Sequence, residues 1–368
     1  MSLDMMPASR RLLTFTALSG ELPTDLVPRL GIGEQYGERL ITSLKRDGLL
    51  KTYYRDRLRG YRLTAKGKKL LLMENPRRFS FYLTGCSDTN QPRSDYPRRL
   101  RLHQAARTYC LMANAGVTLF RDQKPDLFSG ISAAPAAPFP FPAFYHSREI
   151  KELGHETVKI NNSRSMGILL AENCVYPVFY TGDAVLKWEY RTEIRLKAFL
   201  FHHLRQGNLT FYPQLPGIHA LLIGRDMDMA VRLMESTGGF RHSLFTLDTS
   251  FDYFHFVPDT PAGEILLRLL CSPSRQKQLS ALLLSDLEPA NADAVMDCDA
   301  LWKGYPALLA YDFDMLRISR FLTALKLRSQ TGHIICFDFQ KAALETYCGK
   351  TVTLSTIDLA KFERRFFP

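Results

Sequence analysis

Apolar residues in the first quarter of the chain recur with the spacing of short amphipathic helices. From Ala8 to Leu18, the residues Leu12, Leu13, Phe15 and Leu18 form one stripe, and Gly20 stops the run, which predicts a first helix. A second, shorter helix is predicted around Thr24–Leu30, with Thr24 placed to cap it after Pro23. The turn Gly31-Ile32-Gly33 then leads into a third helix from about Glu34 to Asp47. Its inward face carries Gly37, Leu40, Ile41 and Leu44, and its outward face Gln35, Arg39, Thr42, Ser43 and Arg46. Leu49–Tyr54 and Gly60–Leu63 read as two strands around the turn Arg55-Asp56-Arg57-Leu58-Arg59, and Thr64 is placed to cap a last helix through Met73.

Beyond this segment the pattern changes. Residues 76–97 are polar and punctuated by Pro76, Gly85, Asn90, Pro92 and Pro97, a linker composition. A helix from Arg98 to Ala115 would bury Leu102, Ala105, Ala106, Tyr109, Cys110 and Met112. Strand-like runs follow at Val117–Phe120, Phe144–Glu149, Met166–Glu172, Val175–Tyr180, Ala220–Ile223, Tyr253–Val257 and His333–Phe337. Helical patterns lie at Glu189–Leu204, Met227–Glu235, Pro261–Leu270, Arg275–Leu284, Ala307–Leu327 and Phe339–Tyr347. The runs at 166–172 and 175–180 can pair as a hairpin across Asn173-Cys174. Interleaved strands and helices predict a layered α/β body with a mixed sheet, and no internal repeat is apparent. The expected division is residues 1–75, a linker over 76–97, an α/β domain over 98–240 and a C-terminal extension over 241–368.

With 46% apolar and 23% charged residues in 368, the chain has material for a globular core, which excludes disordered, collagen-like and coiled-coil classes. The uncharged stretch Leu127–Ser147 contains four prolines and cannot be a spanning helix, so no membrane partner is expected. Met1-Ser2-Leu3-Asp4 lacks the pattern of a signal peptide, and seven cysteines without a C-x-x-C pair read as reduced thiols; a cytoplasmic protein is expected.

The formal charge of +11 becomes informative when divided. Residues 1–102 hold 20 Lys and Arg against 10 Asp and Glu, while residues 103–368 hold 28 against 27. A basic module on a neutral body points to a polyanion. Gln35, Arg39, Thr42, Ser43 and Arg46 are residue types that read base edges in a major groove. Lys45, Lys51, Arg55, Arg57, Arg59, Arg62 and Lys66 would hold phosphates, and Arg98 and Arg99, opening their helix, would extend the basic surface. The ordered helices, turn, hairpin and closing Tyr61-Arg62-Leu63-Thr64-Ala65-Lys66-Gly67 resemble the winged helix-turn-helix domains of prokaryotic regulators.

Phosphate-loop, dinucleotide-binding and nucleophile-elbow motifs are absent from the sequence. Pro125-Asp126 followed by Glu149-Ile150-Lys151 fits the PD…ExK pattern of nucleases, in which Asp126 and Glu149 would hold Mg²⁺ at a phosphate and Lys151 would activate water. Outside that alternative, no metal or cofactor is expected.

Taken whole, the chain resembles the replication-relaxation family of plasmids and integrative conjugative elements. The residues that carry this are the winged module, the arginine-rich helix Arg98–Ala115, Pro125-Asp126, Phe144–Lys151, Ser163–Leu170 and Tyr180-Thr181-Gly182. The resemblance implies a DNA-binding winged helix fused to a restriction-endonuclease-like α/β fold. The expected function is that of a sequence-specific double-stranded DNA-binding accessory protein in replication or conjugation, without catalysis of its own. Its partners would be DNA, a relaxase or other transfer protein, and a second copy of the chain. An Mg²⁺-dependent nuclease and a transcriptional regulator with a sensing or dimerising body are the alternatives.

Overall fold

The computed structural model describes residues 6–125, 127, 139–151, 163–205, 212, 216–290 and 297–368. The protein is mixed α/β and divides into two compact units, Met1–Asn114 with Leu119–Pro125, and Ala115–Thr118 with Asp126–Pro368.

In the first unit, α1 (Pro7–Ser19) buries Leu12, Leu13, Phe15 and Leu18, and Gly20, at φ 80°, turns the chain out of the helix. β1 (Leu22–Pro23) follows. The predicted second helix is instead two 3₁₀ turns, Thr24–Leu26 and Pro28–Leu30, because Pro28 lacks the N–H that a continuous helix would need there; Thr24 makes no side-chain cap bond. α2 (Glu34–Arg46) buries Gly37, Leu40, Ile41 and Leu44 at the predicted spacing. β2 (Leu50–Arg55) and β3 (Leu58–Leu63) pair antiparallel, and β1 adds to β3 to give the order β1-β3-β2.

The hairpin turn is tighter than predicted. Only Asp56 and Arg57 lie outside the strands, both left-handed at φ 52° and 61°, the twist that suits a two-residue hairpin. α3 (Ala65–Glu74) starts at Thr64, whose Oγ accepts the Gly67 N–H at 3.1 Å, as predicted. Gly67 has its own reason to be glycine, since a Cβ there would sit 2.3 Å from the Leu49 carbonyl oxygen.

The linker expected over 76–97 is corrected. α4 (Pro76–Leu83) opens there with Asn75 as its N-cap and buries Phe79, Tyr82 and Leu83. Pro76, read as a linker signal, instead opens a helix from the first helical position. α5 (Tyr96–Asn114) also belongs to this unit, so the first unit extends well past residue 75.

The second unit begins with β4 (Ala143–His146) and α6 (Ser147–Lys151), so the predicted strand Phe144–Glu149 breaks after His146. Next come β5 (Ser165–Leu170), β6 (Cys174–Gly182), α7 (Tyr190–Arg205), β7 (Gly217–Ile218), β8 (Ala220–Gly224), α8 (Met227–Met234), β9 (Phe254–Pro258) and α9 (Pro261–Leu270). β5 and β6 form the predicted hairpin. After α10 (Pro273–Leu284) come β10 (Glu288–Pro289), β11 (Ala300–Trp302), β12 (Tyr305–Leu309), α11 (Met315–Leu327), β13 (Gly332–Phe337), α12 (Lys341–Cys348), β14 (Val352–Ile357) and α13 (Leu359–Phe366). The run Ala307–Leu309, predicted to open a helix, is strand; Asp314 caps the helix that follows.

The strands form two sheets of the same plan. One runs β4-β5-β6-β8-β9, with β7 beside β6, and the other β10-β11-β12-β13-β14. In each, the first three strands are antiparallel and the last two add in parallel, with a helix after the third, fourth and fifth strands. The body therefore repeats one architecture twice, although no repeat is apparent in the sequence. The boundary expected at residue 240 falls between α8 and β9, inside the first sheet. β8 and β13 are buried throughout, as parallel strands covered on both faces must be. One core joins Phe254, Phe256 and Leu233 to Leu308, Phe313, Ile334 and Leu344. No helix among the described residues is long and apolar enough to cross a membrane.

Gly67→Ala should lower stability by about 1–3 kcal/mol, because α3 must move off the Leu49 carbonyl; urea denaturation measures the loss. Glu193 on α7 gives a second expectation. Burial, with Asp248 and Glu189 nearby, pushes its carboxyl up to about 8. As the unfolded chain ionises from about 4.5 upward, stability should fall with rising pH until about 8. Glu193→Gln should remove that slope and leave the variant more stable than the parent at pH 8 in thermal melts.

Candidate nucleic-acid interface

The outward face of α2 carries Gln35, Arg39, Thr42 and Arg46 in solvent, with Ser43 half-buried. The Thr42 hydroxyl donates to the Glu38 carbonyl at 2.9 Å, and the Ser43 hydroxyl donates to Asp47 Oδ2 at 3.3 Å. Arg39 and Arg46 make no ion pair among the described residues. Glu34 and Glu38 are also exposed on this helix, so its positive character concentrates toward its C-terminal half, where the helix dipole favours cations.

The hairpin lies beside this helix. Lys45 Nζ is 5.5 Å from the centre of the Tyr61 ring, and strand alternation puts Arg59 on the same face as Tyr61. Arg57 and Arg59 are exposed without ion pairs among the described residues, whereas Arg55 approaches Asp56 at 3.5 Å and shares the opposite face with Gly60 and Arg62. The three arginines therefore do not share one tip. Lys66 donates to the Asp47 carbonyl at 2.8 Å, tying α3 to the end of α2. Exposed Lys51, with Lys68 and Lys69, lines a cavity of about 580 Å³. Arg98 is exposed, 3.7 Å from Asp95.

Two arginines expected at phosphates are instead interior. Arg62 and Arg99 converge on Glu21, which is fully buried just after the Gly20 stop. Arg62 Nε donates to Glu21 Oε2 at 2.7 Å, Arg99 donates to Oε1 at 2.5 Å, and His103 Nε2 lies 2.8 Å from Oε1. The Tyr53 ring covers both guanidinium groups, at 3.8 Å from Arg62 and 4.7 Å from Arg99. The remaining donors reach backbone. Arg62 bonds the carbonyls of Pro92 and Arg93, and Arg99 those of Arg55 and Leu58, the residues flanking the hairpin turn. Gly60 leaves room for the cluster, since a Cβ there would lie 2.6 Å from Glu21.

Burial would raise the Glu21 carboxyl, but hydrogen bonds from His103, Arg99 and Arg62 outweigh it and hold it at about 2. Arg99 thus positions the hairpin from within. Sequence reasoning missed Glu21, Tyr53, Gly60 and His103. A signal for Arg99 existed, because Leu102 and Ala106 follow it at the spacing of one helical face.

Of the three residues given roles in the nuclease pattern, Glu149 is the one whose side chain is described. Glu149 stands on the one-turn helix α6 rather than on a strand, is buried, and accepts the His146 N–H at 3.0 Å as a helix cap. Asp126 lies outside the described residues, and of Lys151 only its place at the end of α6 is described. Among the described residues no group of three His, Cys, Asp or Glu is placed to hold a metal ion, and none of the seven cysteines forms a disulfide. No family model matches the chain, and neither a curated protein nor a solved structure matches it.

Arg99→Leu should cost about 3–5 kcal/mol, because it leaves a buried carboxylate and two carbonyls short of donors. Hydrogen exchange should speed up at the hairpin amides. The Glu21 contribution, about 3 kcal/mol at neutral pH, is fully present above about 4.5 and lost as pH falls toward 2. Acid titration of parent and Glu21→Gln by circular dichroism should show that limb in the parent alone.

Proposed function

We propose that this chain is a sequence-specific double-stranded DNA-binding protein whose first unit is a winged helix. In this reading α2 enters the major groove and the β2–β3 hairpin is the wing. The observation that carries it is the pair Arg39 and Arg46, in solvent on one helix without carboxylate partners, beside a hairpin whose Arg57 and Arg59 are equally uncommitted. The net charge of +10 in residues 1–102 supports it. Gln35, Arg39, Thr42 and Arg46 would read bases, while Lys45, Lys51, Arg57 and Arg59 would meet phosphates. Arg62 and Arg99 would act only through the hairpin they hold.

The order β1-β3-β2, with the first strand set between α1 and α2, suits a winged helix. The resemblance to the replication-relaxation family supports placing the protein on a mobile element as a replication or transfer accessory factor. We read the two-sheet body as an endonuclease-like scaffold that receives a relaxase or similar partner. Glu149, occupied at the start of α6, supports giving that body no phosphodiester chemistry.

Fluorescence anisotropy of the full chain on duplexes from its own upstream region, across salt concentrations, tests the reading. Arg57→Gly removes a charge while easing a left-handed backbone. It should keep stability or raise it by up to about 1 kcal/mol, yet reduce the salt slope by about 0.9. Arg39→Ala should cost about 1–3 kcal/mol on the preferred site and far less on random duplex. Slopes unchanged in Arg57→Gly and Arg59→Ala, together with an unchanged preference in Arg39→Ala, would overturn the assignment.

A further inference from the structure

One face of α3 is left open by the unit around it. Ala65, Lys68, Lys69, Leu72 and Met73 recur at spacings of three and four, so they share one side of the helix. Together with Lys51 of β2 they line a cavity of about 580 Å³. β2 is the edge strand of its sheet, so among the described residues no further strand closes the groove beyond Lys51.

Two properties meet in this groove. The first is charge without a counterion. Lys51 and Lys69 are exposed, and neither they nor Lys68 makes an ion pair among the described residues. Lys68 Nζ donates to the neutral Asn90 Oδ1 at 2.9 Å, and burial, with Lys51 nearby, pushes its ammonium below the usual value. Glu74, the one carboxylate of α3, is paired with Arg10 of α1. The second property is apolar surface. Met73 is 74% exposed and Leu72 is half-buried beside it, so the lysines flank a patch that water solvates poorly.

These properties select among anionic partners. A duplex backbone would satisfy the ammonium groups, but its phosphates offer Leu72 and Met73 nothing apolar. A bilayer offers charge and apolar matter on a flat surface, whereas these side chains line a recess. A helix with carboxylates and apolar residues on one face matches charge, apolar surface and concavity together. We propose that this groove binds a short acidic amphipathic helix of a partner protein, its carboxylates meeting Lys68 and Lys69 and its apolar side chains covering Leu72 and Met73. The stripe from Ala65 to Met73 is about 12 Å long, which a partner segment of about ten residues spans. The DNA-binding reading uses Lys51 and none of these α3 residues, so duplex and peptide meet at one side chain at most.

The test is the anisotropy of a fluorescein-labelled peptide of about ten residues, with Glu and Leu on one helical face, titrated with the full chain in the absence of DNA. It should bind saturably at a one-to-one ratio, and replacing its Glu by Gln or its Leu by Ser should each weaken binding about tenfold. Lys69→Glu and Met73→Gln, both at side chains in solvent, should also weaken it about tenfold with melting temperatures unchanged. Lys350→Glu, the same change of net charge elsewhere, should leave the affinity unaltered. Absence of binding, equal affinity for the Gln or Ser peptide, or equal losses in Lys350→Glu and Lys69→Glu would overturn the proposal. So would binding to phosphatidylglycerol vesicles that is lost in Lys69→Glu and Met73→Gln while the peptide is ignored. Random duplex affinity that falls in Lys69→Glu as far as peptide affinity would give the groove to phosphates and overturn it as well. Because the peptide titration contains no DNA, its failure would leave the DNA-binding reading untouched.

Discussion

Burying a carboxylate inside a unit as basic as the first 102 residues is tolerable only where its charge is matched, and around Glu21 it is matched by two guanidinium groups, with an imidazole in hydrogen-bond contact beside them. The match fixes more than one side chain. Arg62 comes from the hairpin, Arg99 and His103 from α5, and Glu21 from the corner after α1. Each guanidinium also takes backbone carbonyls from a further segment. Elements distant in sequence are thus held by a single carboxylate, with Tyr53 as the lid over the charges. The exposed cations of the hairpin owe their placement to interior cations of the same type.

That division explains which parts of the site were legible in the sequence. The α2 face was, because Gly37, Leu40, Ile41 and Leu44 announce the inward side and leave the outward residues by subtraction. The Thr64 cap was legible for a similarly local reason. Arg62 and Arg99 were not, since an arginine carries no mark of whether a carboxylate or solvent awaits it. In Arg62 the decision rests on strand alternation around a glycine at position 60, which depends on the hairpin register. That register in turn depends on a two-residue turn, whereas the string of arginines suggested a five-residue one.

The fold shows the same contrast between local and distant causes. Apolar runs located β8, β9 and β13 well, while Ala307–Leu309 passed for the start of a helix because a short apolar run carries no period. Phe79, Tyr82 and Leu83 have helical spacing, yet the prolines and polar residues around them outweighed it in the sequence reading. The repeat was invisible because it lives in strand order and connection, which many sequences can satisfy, and because β10 and β11 are too short to signal themselves.

The shared core of the two repeats has a consequence for how the body comes apart. Phe254 and Phe256 of the first sheet and Leu308 and Ile334 of the second belong to the same apolar cluster, and Asp314 stitches the two at the backbone. Removing either half would bare the inner surface of the other, so architectural doubling does not confer independence. The body has two blueprints but one interior, and a chain severed between α9 and α10 would leave each fragment with part of that interior exposed.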